Sequence, residues 1–241
     1  MAYRFDPDLE FLSKLTSKEL DPLVHVLVYD KDNKIRYTEE ITSNEKFKQF
    51  NPNHSMYWDI IAEEIQRFGG NSFINILRGG KGVLYKEILC DVCDKVKVNY
   101  RKDSSIERIE SNLLQKILLD AVEKMNSEEL KTVVTELNLS TTNYTPQAVT
   151  AALQLALSSS VFLLGDVAII IFNSMLSRML TSGGLIITGN IVGARLLAAF
   201  TGPIGWAITG LWTAFDIAGP AYRVTIPAVI MTACLRQMYN K

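Results

Sequence analysis

Leu196-Leu197-Ala198-Ala199-Phe200-Thr201-Gly202-Pro203-Ile204-Gly205-Trp206-Ala207-Ile208-Thr209-Gly210-Leu211-Trp212-Thr213-Ala214-Phe215 carries no charge anywhere along its length. A helix needs about 20 apolar residues to cross a bilayer core, so this stretch poses a choice between membrane segment and buried core. Glycine just past one helix end and proline at the start of the next mark a tight turn. Gly202-Pro203 therefore predicts a helical hairpin with arms over 185–200 and 204–218. Each arm is about 22 Å long at 1.5 Å per residue, short of a hydrocarbon core of about 30 Å. Gly202, Gly205 and Gly210 let another helix approach closely, in lipid or in a dense core. The bulk of the hairpin comes from residues such as Phe200, Pro203, Trp206 and Trp212. Arg195 on one arm costs about 2.5–3.5 kcal/mol at a bilayer centre. It needs other protein, the interface, or Asp216 on the opposite arm.

Outward from the hairpin, the charge deficit extends over the whole C-terminal part. Residues 146–241 hold 2 acidic and 5 basic side chains, while 1–145 hold 24 and 20. The overall balance of −1 gives no reason to expect a nucleic-acid partner. Met1 to Asp8 has no apolar run after a basic start, unlike a secretory signal. Three cysteines, an odd number, fit reduced thiols. The expected location is cytoplasmic, in solution or at the inner face of the membrane.

The charged part reads as helix throughout. Asp6 or Asp8 can cap a short first helix containing Leu9, Phe11 and Leu12. Thr16-Ser17-Lys18-Glu19 is a capping box. It opens a helix with Leu20, Leu23, Val24, Leu27 and Val28 at helical spacing. Residues 31–52 are largely polar and read as a surface excursion or a hinge. Further one-sided helices follow over 55–68, where Glu63, Glu64 and Arg67 face away from the apolar stripe, and over 83–96. Ser104 with Glu107 forms another capping box, ahead of the most periodic helix, Ile106 to Met125. Asn126 with Glu129 opens the next. Thr145 as N-cap and Pro146 at the first helical position begin the apolar part, whose helix runs to about 164 and breaks at Gly165-Asp166. A last helix from about 221 to 239 contains Pro227. Period-two runs are missing. The expected fold is all-α, a multi-helix bundle, with blocks 1–30, 31–145 and 146–241.

Few residues suggest chemistry. Cys90-Asp91-Val92-Cys93 lies inside a helix pattern, away from the helix N-terminus where a redox thiolate is stabilised. It reads as a pair of ordinary helix thiols. Arg78-Gly79-Gly80-Lys81-Gly82 lacks P-loop spacing and reads as a helix–helix turn. Arg78 and Lys81 are the candidate contacts for an anion such as a lipid head group. Glu63-Glu64 and Glu128-Glu129 fall on solvated faces. Arg195, Asp216 and Arg223 are the polar residues expected to be buried, as structural partners. Neither histidine sits in a nucleophile or metal-ligand pattern, and no cofactor is implied.

Two blocks are more specific. Phe68-Gly69-Gly70-Asn71-Ser72 with Leu77-Arg78-Gly79 and Gly82-Val83-Leu84-Tyr85 is one; Ala221 to Val229 with Ala233-Cys234-Leu235-Arg236 is the other. Together they resemble the bacterial YaaW-like family of uncharacterised proteins. Tyr3 to Leu12 is similar to the short N-terminal domain that many members carry, and 137–185 matches least. The family is grouped distantly with ubiquinol–cytochrome c chaperones. That grouping implies helical architecture and a chaperone-like role near a membrane, with no catalytic residues to carry over.

These observations favour a non-enzymatic, membrane-associated helical protein acting through its C-terminal hairpin. The alternative is a soluble helical chaperone or assembly factor with the hairpin as its core. A membrane lipid and a protein are the partners the sequence admits.

Overall fold

The protein is described from a computed structural model, over residues 3–30, 34–36, 39–70, 82–159, 161–179, 203 and 222–240. Among these residues the chain forms nine α-helices. They are α1 (Ser17–Val28), α2 (Glu45–Phe50), α3 (Trp58–Gly70), α4 (Tyr85–Lys95), α5 (Ile106–Val122), α6 (Ser127–Glu136), α7 (Pro146–Ser159), α8 (Val161–Met179) and α9 (Tyr222–Tyr239). Three short 3-10 turns, Glu10–Lys14, Ile41–Ser43 and His54–Tyr57, sit between or before them. The one bridge among the described residues pairs Tyr29 with Ile35. The fold is all-α.

The helix starts follow local chemistry. Thr16 accepts from the Glu19 N–H while Glu19 accepts from the Thr16 N–H, so α1 opens on the expected capping box. Asn126 and Glu129 do the same for α6, and the Thr145 hydroxyl accepts from Ala148 N–H at the head of α7. At α5 the cap is Ser105, whose hydroxyl accepts from the Arg108 N–H at 3.4 Å, and not Ser104. The Ser104 carbonyl instead accepts from Lys86. The break expected at Gly165-Asp166 is absent: α7 ends at Ser159 and α8 runs on through both residues. Gly165 is buried there, inside the helix.

Two compact units result, one comprising Met1–Glu110 with Ala214–Thr232 and the other Ser111–Thr213 with Ala233–Lys241. In the first unit α3 packs on α4. The core holds Leu9, Leu12, Leu20, Leu23, Leu27, Ile61, Ile65, Tyr85 and Leu89. The polar excursion after α1 folds down as cover: Ile41 is buried, and the 3-10 turn it begins packs on α3. In the second unit α6 packs on α7 and α7 on α8. There α5 buries Leu113, Leu114, Ile117, Leu118, Ala121 and Val122. Each fully buried Leu or Ile contributes about 1.5–3 kcal/mol relative to exposure, so this periodic face alone anchors the helix.

Candidate functional site

The polar groups of the first unit converge on the start of α4. Leu84, the residue before that helix, has no side chain to accept from the exposed helix N–H groups. A carboxylate from elsewhere does so: Tyr85 N–H donates to Asp6 Oδ2 at 2.6 Å. Asp6 is 1% exposed, and its other oxygen accepts from Asp8 N–H at 3.0 Å. A negative group at a helix N-terminus satisfies both an orphan donor and the helix dipole. The sequence places Asp6 or Asp8 at the head of the first short helix, where Asp6 does accept from the Asp8 N–H; its second, long-range contact with α4 leaves no local signature.

Gln66 on α3 holds the neighbouring backbone. Its Oε1 accepts from Arg4 N–H at 3.1 Å and its Nε2 donates to the Arg4 carbonyl at 2.8 Å. The Arg4 guanidinium donates to the Gly82 carbonyl at 3.0 Å, and Tyr3 stands edge-on to Trp58 with centroids 5.8 Å apart. A Cβ on Gly82 would come to 3.2 Å from Gln66 Oε1, a tight contact that would push on the amide holding Arg4.

From Tyr85 the polar chain continues inward. Its hydroxyl donates to Glu110 Oε1 on α5 at 2.8 Å, with both residues fully buried. Lower on α3, the Thr225 hydroxyl of α9 donates to the Phe68 carbonyl at 3.2 Å, and Lys95 of α4 lies over the Tyr222 ring. The Tyr85–Glu110 link was invisible in the sequence, where Glu110 looked like one more polar residue beside an apolar stripe.

A second polar group was misplaced. Glu64 is 2% exposed and pairs with Arg67, whose Nε donates to it at 3.1 Å. Glu40 N–H donates to the same carboxylate at 3.1 Å. Burial pushes the Glu64 carboxyl above its ordinary range, against the opposing pull of Arg67. The expected solvated face is wrong here because the chain around Glu40 covers it. A third group ties the turn before α3 to α1: His54 lies between Asp21, 3.0 Å from its Nε2, and the Tyr57 hydroxyl. Burial raises the Tyr57 phenol, which stays neutral.

Of the residues singled out from sequence, Cys90 and Cys93 lie inside α4, half-buried and buried. Burial lifts the Cys93 thiol to about 12, which keeps it protonated and unreactive. Arg223 is exposed on the first turn of α9, so the expectation that it is buried is corrected. The first turn buries Tyr222, Val224 and Thr225 and leaves Arg223 as its outward position. Pro203 is buried. Arg78, Lys81, Arg195, Phe200, Gly202, Gly205, Trp206, Gly210, Trp212 and Asp216 lie outside the described residues. Among the described residues no three His, Cys, Asp or Glu gather to hold a metal ion. None of the described helices is long and apolar enough to cross a membrane.

The chain resembles a UPF0174 protein of Helicobacter pylori strain J99, 48% identical over 98% of this chain and 93% of that one. It is also similar to UPF0174 protein YaaW of Escherichia coli K12, 32% identical over 99% of this chain and 97% of the relative. The chain belongs to the UPF0174 family. A second H. pylori UPF0174 protein, from strain 26695, is 37% identical over 82% of this chain and 96% of its own. The family model described as ubiquinol-cytochrome C chaperone matches residues 53–230, and a domain of unknown function, DUF3944, matches residues 3–37. No solved structure matches. In UPF0174 terms, the cap on α4 joins the two matched regions: Asp6 belongs to the first, Gln66 and Tyr85 to the second.

Proposed function

We propose that this UPF0174 protein is a non-enzymatic, chaperone-like helical factor that holds another polypeptide during its assembly. The match of residues 53–230 to the ubiquinol-cytochrome C chaperone model carries the reading. It runs from the turn before α3 into α9, and so covers α3 to α8 and the first half of α9. The test is reconstitution. A protein co-purifying with the full chain from native cells, once purified separately, should reform a complex of fixed stoichiometry without nucleotide. Failure of every such candidate to rebind would overturn the reading.

Membrane association through the hairpin is the second reading, favoured by the charge-free residues 196–215. Lipid engagement would then come from residues 185–218 and be held by burial of apolar surface, which salt does not screen. With Trp58 replaced by Phe, the remaining tryptophans, Trp206 and Trp212, report on that segment alone. Liposomes should blue-shift their fluorescence, and the shift should survive high salt. An unchanged spectrum, with no flotation of the full chain, sinks this reading.

A further inference from the structure

The short helix α2 buries none of its own residues, so it lacks the apolar anchors that fix α1 and α5. What ties it sideways is the Lys46–Asp59 ion pair, the edge of Phe47 against the Tyr57 ring at 5.5 Å between centroids, and its C-cap residue Asn51, which reaches the Tyr57 hydroxyl. That hydroxyl is shared. Tyr57 is fully buried and burial raises its phenol, so it stays neutral with one proton to donate. Two acceptors compete for the proton: His54 Nδ1 on the same turn, and Asn51 Oδ1 at 3.3 Å. His54 is itself 4% exposed, with its Nε2 3.0 Å from Asp21 Oδ1 of α1.

A carboxylate only accepts, so Nε2 carries a proton in both charge states of the ring, and Nδ1 is the position that changes. In the neutral ring Nδ1 accepts from Tyr57, and Asn51 Oδ1, which is exposed, turns to water. In the imidazolium Nδ1–H donates to the phenol oxygen, and the Tyr57 proton turns to Asn51. We propose that His54 is a proton-operated switch on α2: protonation redirects the Tyr57 hydroxyl to Asn51 and tightens the helix, and loss of the proton slackens it. The switch needs no partner polypeptide and no membrane, so it stands apart from both functional readings. The elements packed against this turn are α1, α2, α3 and the 3-10 turn Glu10–Lys14. From α1 come Asp21 and, acting on Tyr57, Tyr29, with His25 one turn beyond Asp21. On α2, Lys48 is taken by Glu45 and Lys46 by Asp59 of α3. Further along, α3 carries Glu63 and the sealed Glu64–Arg67 pair, and the 3-10 turn carries Lys14 and Glu10, the latter bonded by Tyr3. Among the described residues only Asp21 and Tyr57 touch the His54 ring nitrogens.

The experiment is amide hydrogen exchange on the full chain at about pH 5 and pH 8, the window in which histidine changes charge. Protection factors are corrected for the intrinsic pH dependence of exchange. The Lys48 and Asn51 amides close α2 on the Asn44 and Phe47 carbonyls. Both should be about two- to tenfold better protected at the lower pH, the span of one ordinary hydrogen bond. The change should follow the His54 ring titration seen by NMR, and should persist in His25→Gln, which leaves His54 as the only histidine. It should vanish in Tyr57→Phe, which keeps the ring and removes the hydroxyl. Equal protection at both pH values in the wild type overturns the proposal. So does a pH dependence that survives in Tyr57→Phe, because it then belongs to another group, such as the raised Glu64 carboxyl. Should Tyr57→Phe not fold, Asn51→Ala at the surface takes its place: loss of the pH effect supports the switch, and its persistence sinks it.

Discussion

Gly69 offers the sharpest test of how the first unit is packed. It is the last residue but one of α3, and a Cβ built on it would lie 2.4 Å from Ile88 Cδ1, 2.5 Å from Cγ1 and 2.8 Å from Cγ2. Carbon atoms in good contact sit about 3.5–4.0 Å apart. Because three atoms of one buried side chain are in the way, a single rotation of Ile88 does not clear the space. Gly→Ala within a helix gains about 0.8–1 kcal/mol of propensity, less near a helix end. Overpacking a close-packed site costs about 1–3 kcal/mol. The second effect wins, and Gly69→Ala should destabilise the protein by about 1–2 kcal/mol. Ile88→Ala alone should cost about 2–5 kcal/mol through the cavity it leaves. In the double variant the new methyl occupies part of that cavity, so the losses should fall short of their sum by at least about 1 kcal/mol. Urea midpoints at unchanged slope supply the numbers. Additivity within about 0.5 kcal/mol, or a stabilised Gly69→Ala, would show that α3 and α4 do not meet at this glycine.

Tyr85→Phe removes the hydroxyl that donates to buried Glu110, and should lower stability by about 1–3 kcal/mol, visible as a reduced Tm; an unchanged Tm refutes the link. The raised carboxyl of Glu64 means that the folded state holds its proton more tightly than the unfolded chain. Its contribution is therefore fully present below the ordinary carboxyl pKa of 4.5 and declines as pH rises through the folded value. The stability of Glu64→Gln relative to wild type should accordingly improve as pH rises above about 4.5, and a parallel pair of stability–pH curves contradicts this. In native protein at pH 8, a thiol reagent should modify half-buried Cys90 before Cys93 or Cys234, and denaturant should expose all three; equal rates in the native state would mean that α4 is open. Asn173 Oδ1 is buried on α8 without a hydrogen-bond partner among the described residues, so Asn173→Leu should raise the Tm, and a fall would show that a donor reaches that oxygen.

Helix identity was readable because caps and periodicity are local. Thr16 with Glu19 and Asn126 with Glu129 name their own helix starts within four residues. The polar interior was not readable, because burial depends on what another segment brings. Glu63 and Glu64 are neighbours of the same type, yet only Glu64 is sealed, since the Glu40 backbone lands on it from the excursion after α1. Asp6 and Tyr85 are 79 positions apart, and nothing in either local sequence announces that one caps the helix of the other. Ser104 and Ser105 are adjacent and of one type, and it is the fold that separates them: the Ser105 hydroxyl caps α5 while the Ser104 carbonyl is taken by Lys86.

The charge deficit of residues 146–241 was the ground for placing the C-terminal part in or near lipid, and the described helices take some of that ground away. A helix that is apolar all round needs an apolar environment, which protein supplies as well as lipid does. Along α8, Val167, Ala168, Ile171, Phe172 and Met175 are at most 2% exposed, and along α9 the run from Ile226 to Leu235 is buried almost without exception. These side chains are already covered by the chain itself. Their low charge follows from that burial and carries no further message about a membrane. The membrane reading is left to the hairpin alone, where each predicted arm is shorter than the hydrocarbon core. Such arms can dip into one leaflet or close over a core, but they do not cross a bilayer singly. The salt-resistant tryptophan shift is therefore the decisive observable, because only residues 206 and 212 report it and neither belongs to the helices whose burial is accounted for.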